Sequence, residues 1–91
     1  MFYTMEELER MLIDSVSKTL ADMECNYKYK FEYAISEIRH AQCEMVCFGI
    51  HNAQLWDGSV LAAIKSARNA EEDWKQAKQL YDETIEHYGN K

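Results

Sequence analysis

The stretch from Met1 to Phe48 contains neither glycine nor proline, and this excludes most of the ways a short chain can turn back on itself. Its apolar residues recur at Met5, Leu8, Leu12, Val16, Leu20, Met23, Tyr27, Phe31, Ala34, Ile38, Ala41, Met45 and Phe48. Every step is three or four, the spacing that lines up one face of an α-helix. Thr4 followed by Glu7 has the form of a capping box at the start. Acid-to-base pairs four apart at Glu6–Arg10, Asp14–Lys18 and Glu24–Lys28 add small stabilising contacts along the helix surface.

Tyr27 to Tyr33 alternates aromatic and polar residues, a strand pattern. Its partner would be Glu44 to Ile50, giving an α+β alternative with a hairpin at 27–50. The connection, Ser36 to Gln42, carries no turn residue and itself reads as helix, so the helical spacing prevails.

Gly49 is the first residue suited to ending the helix. The segment from Ile50 to Gly58 reads as the one loop, with Ser59 or Asp57 as candidate cap for the next helix. This last helix, over 60–88, carries its face at Val60, Ile64, Ala67, Trp74, Ala77, Tyr81, Ile85 and Tyr88, with a further pair at Glu71–Lys75. The fold class is all-α: a three-helix bundle with helices about 5–24, 27–48 and 60–88, or a long helical hairpin whose first two helices are continuous. The bundle is the favoured form, because an unbroken first helix of ~66 Å would overhang a last helix of ~44 Å, at ~1.5 Å per residue. That overhang would leave Leu8, Leu12, Val16 and Leu20 uncovered unless a second copy of the chain covers them, which makes a homodimer the competing arrangement.

At 91 residues the chain has room for one domain, 1–91. Sixteen acids against ten bases give a net charge of -6, which argues against direct binding to nucleic acid or an anionic membrane. No apolar run approaches the ~20 residues that span a bilayer, and no secretory signal is visible. Three cysteines, Cys25, Cys43 and Cys47, read as free thiols in a reducing, cytoplasmic setting.

Chemistry-bearing motifs are sparse. Glu37 and His40 form one E-x-x-H, and a di-iron bundle needs two such motifs plus two more glutamates, so only a metal-binding homodimer would complete it. His40 with Cys43, or Cys47 with His51, supplies two zinc ligands at most. No phosphate loop or nucleophile elbow occurs, and neither an enzymatic activity nor a cofactor is expected.

A binding role is the stronger expectation. Asp82, Glu83 and Glu86 crowd the C-terminal turns of the last helix, where the macrodipole disfavours acids. Trp56 stands in the loop, and Tyr29 and Tyr33 belong to a soft stripe with Cys25, Ser36, His40, Cys43 and Cys47, expected to be buried against a neighbouring helix or a partner. Together these suggest a small acidic, non-catalytic protein-binding module, an inhibitor or adaptor, that occupies a basic surface of a partner, including one that normally holds nucleic acid. Small inhibitors made by viruses and mobile elements have this general character. The remaining alternative is a structural subunit of a larger assembly.

Overall fold

A computed structural model of the chain describes residues 3–50 and 58–89, and within them it is a helical hairpin. Helix α1 runs from Met5 to Phe48 and helix α2 from Ser59 to Tyr88. The three-helix bundle is therefore corrected: α1 passes unbroken through Glu24, Cys25 and Asn26. Nothing there forces a break, since asparagine in a helix interior costs well under ~1 kcal/mol and no proline removes a backbone donor. The strand alternative is also set aside, because Tyr27 to Tyr33 is helical and the described residues hold no strand.

The ends follow the local chemistry in part. Thr4 accepts a hydrogen bond from the Glu7 amide at 3.1 Å, with Glu6 and Glu7 in the first turn. Gly49 closes α1 at φ 96°, a region open to glycine, and its amide donates to the Met45 carbonyl. Helix α2 starts differently from expectation. Gly58 is its N-cap without a side-chain cap, and the Ser59 hydroxyl instead donates to Glu37 Oε2 of α1 at 2.6 Å. Asp57 lies outside the described residues.

The two helices are antiparallel. Tyr27 stacks on Trp74 with ring centroids 5.7 Å apart, Ala34 clusters with Ala63 and Ala67, and Glu37 meets Ser59. Buried positions on α2 are Val60, Ala63, Ala67, Ala70, Ala77 and Thr84, with Trp74 and Tyr81 half-buried between them. Their steps alternate three and four, a heptad seam. On α1 the matching seam is Ile13, Val16, Leu20, Met23, Tyr27, Lys30, Ala34, Glu37 and Ala41, again in heptad phase. Sustained 3.5-residue periodicity is the geometry of a left-handed antiparallel coiled coil. Alanine at so many α2 positions leaves little side-chain bulk on that helix to hold the axes apart. Thr84 keeps its buried hydroxyl satisfied by donating to the Leu80 carbonyl at 2.8 Å.

Most of this seam is the expected face: Val16, Leu20, Met23, Tyr27, Ala34 and Ala41 on α1 and Val60, Ala67, Trp74, Ala77 and Tyr81 on α2 take inward positions as the spacing predicts. Leu8, Leu12, Phe31 and Ile38 on α1 and Ile64 on α2 stand in solvent, while Ile13, Lys30, Ala63 and Ala70 take the inward positions. The seam keeps a strict 3.5-residue period, which passes over these outlying members of the broader apolar stripe.

Candidate partner-binding surfaces

The heptad phase divides the hairpin into two broad faces. One carries Glu24, Lys28, Phe31, Ile35 and Ile38 of α1 with Ile64, Arg68, Glu71, Lys75 and Lys78 of α2. Charges of both signs pair along each helix: Glu24–Lys28 at 3.5 Å on α1 and Glu71–Lys75 at 3.6 Å on α2. Tyr27 donates to Glu71 Oε2 at 2.9 Å, and this bond holds the phenol above its ordinary pKa, with burial and the carboxylate charge adding to the rise. Lys78 lies 5.7 Å over the Trp74 ring.

The opposite face is built differently. On α1 it presents Leu8, Leu12, Ser15, Thr19, Asp22, Asn26, Tyr29, Tyr33, Ser36, His40, Cys43 and Cys47; on α2 it presents Ser59, Ala62, Ser66, Asn69, Asp73, Gln76, Leu80, Glu83 and His87. No lysine or arginine occupies these positions. Near the closed end of the hairpin this face holds an open groove of about 370 Å³ lined by Tyr29, Lys30, Tyr33, Ser59, Ala62, Ala63 and Ser66. Tyr33 hydrogen-bonds Glu37, whose negative charge first and the bond second raise the phenol pKa. Glu37 therefore joins a helix-bridging pair of hydroxyls, from Tyr33 and Ser59.

The expected site residues separate. Tyr29 and Tyr33 flank the groove and are 64% and 48% exposed, so the soft stripe expected to be buried is open to solvent. The physical reason is that, among the described residues, α1 and α2 are not flanked by a separate third helix, since α2 covers only the Ile13-to-Ala41 seam of α1. Asp82, Glu83 and Glu86 lie on the solvent side of α2 at the other end, some 20 residues or ~30 Å away along the axis. Glu83 accepts from Gln79 at 3.2 Å. Trp56 lies outside the described residues, as does His51.

A surface that the sequence reading missed gathers around those three acids. Carried to its end, the antiparallel register brings Tyr88 to about the level of Leu12, so the first two turns of α1 extend beyond α2. Met5, Leu8, Met11 and Leu12 stand exposed on this open end. Around them lie Glu6, Glu7, Glu9 and Asp14 of α1 and Asp82, Glu83 and Glu86 of α2, with Arg10 as the single lysine or arginine among residues 3–14 and 79–89. The signal was the overhang itself, combined with the antiparallel pairing that brings the two acidic segments to one end.

The metal reading finds no constellation among the described residues. Glu37 and His40 turn apart: Glu37 reaches across to Ser59, and His40 Nε2 sits 2.8 Å from Glu44 on its own helix. Cys43 and Cys47 approach to 4.0 Å between sulfurs, and this neighbour contact raises the Cys47 thiol pKa. No described helix is long and apolar enough to cross a membrane. Compared with family models, curated proteins and solved structures, the chain matches none.

Proposed function

We propose that this protein is a small acidic, non-catalytic binding module, and that the open end of the hairpin occupies a basic surface on a partner protein. The observation that carries this reading is the exposed Met5, Leu8, Met11 and Leu12 cluster set among seven carboxylates and one arginine. Methionine and leucine offer adaptable apolar contact area, and carboxylates around such a patch raise the association rate and orient a basic partner. Acids in the last turns of α2 oppose the helix dipole, so their placement does not serve the helix that carries them. A binding role fits side chains whose polar contacts are short-range and solvated and whose largest apolar groups face outward.

The test is affinity capture from a cell extract with the intact chain and with the Asp82→Lys/Glu83→Lys/Glu86→Lys variant, followed by mass spectrometry. A partner held by the intact chain should present a basic surface. Its association with the variant should slow about tenfold at low salt and lose most of its salt dependence. Equal association rates for the two proteins at low salt would refute the reading.

A further inference from the structure

We propose that the tyrosine groove near the closed end is a self-association surface, occupied by the same groove of a second copy of this chain. The first argument is area. A compact monomer of 10.7 kDa exposes about 5,500 Å², whereas this chain exposes 7459 Å², roughly 2,000 Å² more. Its radius of gyration of 20.1 Å compares with about 12 Å for a compact domain of this length. A stable obligate dimer buries about 2,000 Å² in total or more, so half of the excess on each copy is sufficient.

The second argument is charge. Each copy carries a net charge of -6, so two copies repel wherever their acids face each other. The open end, with its seven carboxylates, is closed to a second copy for this reason. The groove is not: the charged groups at it are Lys30 on its floor and Glu37 at its edge, and Glu37 is already bonded by Ser59. Depletion of charge with enrichment of tyrosine is the composition of an interface core.

The third argument is shape. On this face α1 raises Tyr29 and Tyr33, while α2 presents only Ser59, Ala62 and Ser66 beside them. A two-fold axis lying across the hairpin, perpendicular to its length, sets the copies antiparallel and lays Tyr29 and Tyr33 of each against those of the other, an isologous contact with the small residues of α2 beside it. Centred there, the pairing sends the two acidic open ends away from one another and leaves both free for the binding role proposed above.

Sedimentation equilibrium of the full chain at tens of micromolar should give twice the 10.7 kDa chain mass. Ala62→Arg and, separately, Tyr29→Glu should each return the mass to that of one chain with unchanged helical circular dichroism. Both sites are exposed in the hairpin, so each variant is expected to fold. A single-chain mass for the unaltered protein, or a two-chain mass that survives both substitutions, would overturn the proposal. The Asp82→Lys/Glu83→Lys/Glu86→Lys variant should remain a dimer, which separates failure of the open-end reading from failure of this one.

Discussion

Tyr27 and Trp74 are where the hairpin departs from an alanine ladder, and single side chains matter most there. Trp74→Ala removes the stacked partner of Tyr27 and the ring beneath Lys78. The loss should be about 3 kcal/mol, at the lower end for tryptophan truncation because the side chain is only half-buried; thermal or urea unfolding measures it. Leu12→Asp should change stability by less than about 0.5 kcal/mol, since Leu12 stands exposed where the sequence reading placed it in the core. Tyr27 also sets an alkaline limit. Its folded pKa lies above the ordinary 10.0, so the folded state favours the protonated phenol. The stabilisation is complete below pH 10 and disappears as pH rises through the folded value, where ionisation breaks the bond to Glu71. The melting temperature of Tyr27→Phe should therefore be lower than that of the unaltered chain at pH 8, and the gap should narrow by pH 11.

Helices were the most legible level of organisation. The absence of glycine and proline before Gly49, the Thr4–Glu7 cap and the unbroken three-and-four spacing all point the same way, and the hairpin results from them. Two things were not legible. Continuity through Asn26 was obscured by length, because a 44-residue helix is outside the usual range and a break would let every apolar stripe find cover within one chain. The margin of the seam was hidden because the apolar stripe on α1 is wider than one partner helix covers, so spacing alone does not place Lys30 and Glu37 inward and Phe31 and Ile38 outside. The open-end surface escaped for a related reason, since its acids lie at opposite ends of the sequence and meet only through the antiparallel pairing. Asn26→Pro tests continuity directly. In the continuous helix it should cost ~3 kcal/mol or more and reduce helicity, whereas a residue starting a separate helix would tolerate it. Ala67→Leu tests the seam: the added bulk should destabilise by ~1–3 kcal/mol, as overpacking does at a buried position.

At the scale of the whole molecule, the hairpin is a rod of 66 × 25 × 16 Å whose two ends differ in charge and composition. Removing residues 1–8 leaves the seam from Ile13 to Ala41 untouched. It should lower the melting temperature by only a few degrees while abolishing capture of a basic partner, a separation that a calorimeter and a pull-down read independently. The alanine seam has one more consequence, for alignment. Sliding α2 along α1 by one heptad keeps Ala63, Ala70 and Ala77 inward, so heptad phase alone permits more than one alignment. Tyr27 against Trp74 and Glu71, and Glu37 against Ser59, are the contacts that do not survive such a slide. They act as the key that selects one alignment, and with it the level at which the acids of α2 meet those of α1.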